Sequence, residues 1–84
     1  MLNVGVLGFD CPACRKAMRL IDETARELGV AVRLEKVSDP AVIAAHRVLS
    51  VPGVLVEGKL VHSGGSPSRK QIENWLKQTE RNPS

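Results

Sequence analysis

From Pro12 to Leu28 the apolar and small residues Cys14, Ala17, Met18, Ile21, Ala25 and Leu28 recur every three or four positions, with Arg15, Lys16, Arg19, Asp22, Glu23 and Arg26 between them. That period predicts an amphipathic helix. Pro12 suits its first turn, where a missing N–H is no loss, and Gly29 suits the left-handed residue just past its end. Before this helix, residues 2–8 read as a short strand with Val4 and Val6 facing one way and Leu7 the other. After it, residues 30–37 alternate Val30, Val32 and Leu34 with Ala31, Arg33 and Glu35, the period of a second strand. Asp39 then stands before Pro40 as a helix cap, opening a second helix through Arg47. Val51-Pro52-Gly53 ends it, because the residue before a proline is pushed to extended geometry. Residues 54–57 and 60–63 form a hairpin across Gly58-Lys59, and Gly64-Gly65 leads out. Ser68 and Gln71 match a capping box for a last helix with Ile72, Trp75, Leu76 and Thr79 inward.

The order β-α-β-α-β-β-α is that of a layered α/β domain whose first two strands are parallel and joined by a right-handed crossover. At 84 residues there is room for one such domain, assigned to residues 1–78, with 79–84 as a flexible tail. Hydrophobic residues at 43% and charged ones at 25% fit a globule, and no apolar run reaches membrane-spanning length. Twelve Lys and Arg against nine Asp and Glu are spread along the chain, and Phe9 and Trp75 are the only aromatics. Nucleic acid is therefore not an expected partner. The start, Met1-Leu2-Asn3-Val4-Gly5, has no basic leader, so a cytoplasmic location is expected, and the chain is read as a monomer.

Two cysteines are too few for a disulfide scaffold and must be judged as chemistry. In Cys11-Pro12-Ala13-Cys14 they fall three apart, a separation at which two sulfurs meet across the first turn of a helix. The free N–H groups and dipole of a helix start favour a thiolate, which makes Cys11 the candidate nucleophile. Arg15 and Lys16 would lower its pKa and Asp10 would raise it. Cys14 lies on the apolar stripe with Ala17 and Met18, should face inward, and fits a resolving role.

The CxxC after the first strand, the element order, and Ser50-Val51-Pro52-Gly53 before the hairpin together resemble the thioredoxin-like superfamily. Within it, the chain resembles the small single-domain group called redox-active disulfide protein 2. That resemblance implies a minimal thioredoxin-like fold, a four-stranded mixed sheet with helices on both faces. It implies a thioredoxin- or glutaredoxin-like disulfide oxidoreductase that uses the Cys11/Cys14 couple and no bound cofactor. Its partners would be a disulfide-containing protein substrate and a thioredoxin-reductase-like electron donor. Pro52 would be cis and lie beside the dithiol, with the Val51 backbone holding an extended substrate; taken alone, the residues also suit an ordinary trans helix terminator. Main-branch thioredoxins have an aromatic before the first cysteine and Gly-Pro between the pair, where this chain has Phe9-Asp10 and Pro12-Ala13.

The same loop is also similar to that of heavy-metal-associated domains, which would make the chain a Cu(I) or Zn(II) binding or chaperone module. Those domains run β-α-β-β-α-β, and here a helix follows the second strand. His46 and His62 are sixteen residues apart, too far for the usual zinc spacing, so they are read as surface residues and no metal site is assigned.

Overall fold

The computed structural model describes residues 2–9, 11–48 and 50–81, with side chains through Lys77. Its strands are β1 (Leu2–Leu7), β2 (Val32–Val37), β3 (Gly53–Val56) and β4 (Lys59–Ser63), and its helices α1 (Pro12–Leu28), α2 (Pro40–Ala45) and α3 (Arg69–Arg81), in the order β1-α1-β2-α2-β3-β4-α3. The sheet order is β2-β1-β3-β4, with β1 parallel to β2 and antiparallel to β3, and β3 antiparallel to β4. β1 thus lies inside the sheet, which is why Val4, Val6 and Leu7 are all buried.

Val4, Val6, Val54 and Val56 share one face and pack against Ala17, Ile21 and Ala25 of α1 and Ile72 and Leu76 of α3. Arg69 of α3 also ion-pairs with Glu27 of α1, at the surface where such a pair contributes little. The other face carries Leu7 and Gly53, paired across the sheet, and there the chain just beyond α2 approaches: a side chain on Gly53 would meet the Val48 methyls at 3.0 and 3.1 Å.

Several boundaries differ from the sequence reading. β2 starts at Val32 because the Val30 N–H donates to the Ala25 carbonyl at 2.9 Å and the Gly29 N–H to Arg26 at 3.2 Å, a Schellman closure of α1 with Gly29 at φ 70°. α2 stops at Ala45 in the same way: Arg47 turns left-handed at φ 57° and the Val48 N–H reaches the Ile43 carbonyl. The hairpin turns at Glu57-Gly58, φ 51° and 78°, one residue earlier than expected. Glycine is then the second residue of a type I′ turn, and Glu57 is tied to β1 through Asn3 at 2.8 Å by backbone and 3.1 Å by side chain. α3 continues through residues 79–81, which the sequence reading gave to the tail; residues 82–84 lie outside the described residues. Its start is a reciprocal capping box, Ser68 N–H to Gln71 Oε1 at 2.9 Å and Gln71 N–H to Ser68 Oγ at 3.2 Å.

Candidate active site

The parallel β1–α1 connection delivers the CxxC to the C-terminal end of the central strand. Cys11 is the N-cap of α1, extended at φ −79° and ψ 163°, and its Sγ accepts the Cys14 N–H at 3.2 Å. Pro12 follows at the position that needs no donor, and the first turn closes with the Arg15 N–H on the Cys11 carbonyl at 3.0 Å. Cys11 is half-buried, Cys14 is only 3% exposed, and both are free thiols. The helical stripe therefore places the second cysteine inward, with Ala17 and Ile21.

The two sulfurs are pushed in opposite directions. Cys11 is held below the ordinary thiol range, first by a hydrogen bond from the Cys14 thiol, then by the backbone N–H groups of Cys14, Ala13 and Cys11, against an opposing desolvation. Cys14 is raised, first by burial, then because its proton is held toward Cys11 and the neighbouring negative charge repels its own; backbone hydrogen bonding from Cys11 and Phe9 opposes this. One sulfur is made the anion and the other the proton donor, a division suited to nucleophile and resolving thiol. Arg15 and Lys16 follow Cys14 on α1, and both side chains are exposed. Asp10 lies outside the described residues.

Val51 is brought near the second cysteine: a side-chain carbon built on Gly8 would sit 3.7 Å from Val51 Cβ and 2.3 Å from Cys14 Sγ, so both lie close to Gly8. The Val51–Pro52 peptide bond is cis, Pro52 is buried, and its carbonyl accepts the Gly64 N–H at 3.0 Å, which ties the loop to the end of β4. Gly64 needs its φ of 85° and its lack of a side chain there, since Ser50 Cβ would stand 3.2 Å away.

Sequence reasoning gave no site role to Gly8 or Phe9. Phe9 is 56% exposed two residues before Cys11, and the departure of its position from the aromatic of main-branch thioredoxins was its signal. For Gly8 the signal was weaker: a glycine at the strand end, three residues before the nucleophile, reads simply as a strand residue. His62 is not a free surface residue but half-buried, its ring 5.9 Å from that of Trp75 and its Nε2 2.9 Å from the Gly65 carbonyl oxygen. Among the described residues no three Cys, His, Asp or Glu side chains gather as a metal site.

The Thioredoxin_3 family model, described as a thioredoxin domain, matches residues 2–77. A thioredoxin of Methanocaldococcus jannaschii is 31% identical over 77 residues, 92% of this chain and 88% of that protein. A thioredoxin of Methanothermobacter thermautotrophicus is 26% identical over 76 residues, 90% of this chain and 99% of that one. Among solved structures, a chloroplastic thioredoxin z superposes with a TM-score of 0.74 at 18% identity, covering 98% of this chain and 80% of that one, which shows the shared fold. Among the described residues no helix is long and apolar enough to cross a membrane. A match that runs from the first strand into the last helix makes this chain a member of the thioredoxin family, a family of thiol-disulfide oxidoreductases.

Proposed function

We propose that the protein exchanges electrons with disulfide-containing partners through Cys11 and Cys14, Cys11 attacking and Cys14 resolving. The observation that carries this reading is the asymmetric pair at the helix start: an accessible Cys11 sulfur that accepts hydrogen bonds, and a buried Cys14 that supplies one of them. A thiol of ordinary pKa ~8.5 is only about 3% ionised at pH 7, so holding Cys11 below that range raises the share of the reactive form.

The Cys11 thiolate attacks one sulfur of the partner's disulfide, a Cys11–partner bond forms, and the partner's other sulfur leaves as a thiolate and takes a proton. Cys14, losing its proton, attacks Cys11 Sγ; the Cys11–Cys14 bond forms and the partner leaves fully reduced. The dithiol has lost two electrons, which a reductase of the thioredoxin-reductase class would return. Val51 is placed beside Gly8 and Cys14, where its backbone would pair with an extended segment of the partner. Arg15 and Lys16, exposed near the dithiol, would steer an acidic partner toward it, in a cytoplasmic setting.

The test is trapping and turnover. Cys14→Ser should accumulate a covalent adduct through Cys11, and Cys11→Ala should neither trap nor reduce insulin. Turnover by Cys11→Ala would overturn the assignment.

A further inference from the structure

Gly8 is a glycine for want of space, not of conformation. Its φ is not in the left-handed region, unlike those of Gly29, Gly58, Gly64 and Gly65, so its backbone would accept any residue. Space would not: a Cβ there would stand 2.3 Å from Cys14 Sγ and 3.5 Å from Cys14 Cβ. The backbone cannot draw back, because the Gly8 N–H donates to the Val37 carbonyl at 2.9 Å and extends the β1–β2 ladder by one bond. Val51 of the Pro52 loop is also close, its Cβ 3.7 Å from the same point. Relief must therefore come from Cys14, whose sulfur turns about one bond among three staggered wells, one of them disfavoured in a helix.

We propose that Gly8 is a positioning residue for the dithiol: the side chain it lacks reserves the volume occupied by Cys14 Sγ, and so fixes the rotamer from which Cys14 donates to Cys11 and attacks the mixed disulfide. The second half deepens the oxidoreductase reading and rests on it; the first half concerns the thiols alone. Any β-carbon at position 8 drives Sγ into another well, away from the volume it now occupies. Resolution then slows, because Cys14 must reach Cys11 Sγ as the Cys11–partner bond breaks and the electron pair and a proton pass to the partner's sulfur.

The experiment is a cycle of Gly8→Ala, Cys14→Ala and the double variant, read in two ways. An aromatic disulfide such as 5,5′-dithiobis(2-nitrobenzoate) releases one coloured thiolate when Cys11 attacks and a second when Cys14 resolves. Gly8→Ala should slow the second release on the order of tenfold or more, since a displacement of about 1 Å in a reacting group can cost 100-fold. The pH midpoint of Cys11 alkylation by iodoacetamide, followed by mass spectrometry, should rise in Gly8→Ala and in Cys14→Ala. It should rise no further in the double variant, where the sulfur is gone and the new methyl has its room.

An unchanged second release in Gly8→Ala overturns the proposal. So does a midpoint that Gly8→Ala moves equally in the Cys14→Ala background, for the residue would then act through the backbone or Val51. If Gly8→Ala does not fold, the double variant must; its failure to fold also counts against the idea. Absence of a second release in the unaltered protein would instead refute the oxidoreductase reading, and the alkylation cycle would still decide the role of Gly8.

Discussion

Two helices of this molecule begin with the same backbone device and use it for different ends. α1 opens with Cys11-Pro12 and α2 with Asp39-Pro40, in each case an extended N-cap followed by proline. Asp39 Oδ1 accepts the Ala41 N–H at 2.9 Å, and Cys11 Sγ accepts the Cys14 N–H at 3.2 Å. Aspartate is a strong cap, whereas sulfur is a weak acceptor and becomes a good one only when ionised. α2, six residues long with Ile43 its one buried residue among those described, needs the strong cap. α1, seventeen residues long, buries Cys14, Ala17, Ile21, Thr24 and Ala25, so packing holds it and its first turn is free to carry a reactive group. Cap strength is relinquished where tertiary contacts make it dispensable, and the N–H groups so released stabilise a thiolate.

The widest separation should come from alanine at each cap. Cys11→Ala should lower disulfide reduction on the order of 1000-fold or more, as removal of a nucleophile does, yet shift urea-denaturation stability by less than about 1 kcal/mol. Asp39→Ala should do the reverse, costing about 1 kcal/mol and leaving reduction within a few-fold. Equal stability losses at the two sites would show that α1 depends on its cap after all.

The contrast also shows what could be read from the chain. Both ends of α1 were legible because Pro12 and Gly29 act locally, through a missing N–H and a left-handed φ. The inward position of Cys14 followed from helical period alone. The start of β2 did not, since the Val30 N–H is taken by the helix before it, and alternation of side chains says nothing of that bond. The hairpin turn was displaced for a similar reason: the pair Glu57-Gly58 competes with Gly58-Lys59 in composition, and the tie from Asn3 to Glu57, fifty-four residues apart, decides between them. At the site, the helix start suggested an activated Cys11, but the largest cause is the Cys14 thiol, whose direction depends on the rotamer Gly8 allows. Contacts between residues distant in sequence, or set by a single rotamer, leave no periodic trace.

A smaller effect sharpens the comparison from the other side. Cys11→Asp gives α1 the cap that α2 already has, with a permanent charge at a helix start. Stability should rise by about 0.5–1 kcal/mol while reduction is abolished, measured by urea denaturation and insulin turnover. A fall in stability would mean that the first turn of α1 is shaped for sulfur and rejects oxygen.

The smallest effect comes from moving the nucleophile to the other helix. Asp39→Cys, made with Cys11→Ser and Cys14→Ser, places one thiol at an exposed N-cap before a proline, with the Ala41 N–H in reach and no second sulfur. Its alkylation midpoint should lie below that of a free cysteine but above that of Cys11 in the unaltered protein, because the helix start contributes and the strongest donor, the neighbouring thiol, is missing. The sign carries over to stability. A thiol whose folded pKa is lowered adds stability that is fully present above its unfolded pKa of ~8.5 and is lost as pH falls through the folded value. The variant should therefore gain slightly in denaturation midpoint, relative to Asp39→Ser in the same background, as pH rises through that window. A midpoint as low as that of Cys11 would show that a helix start alone activates the thiol, and that Cys14 is there to resolve the bond and not to make the anion.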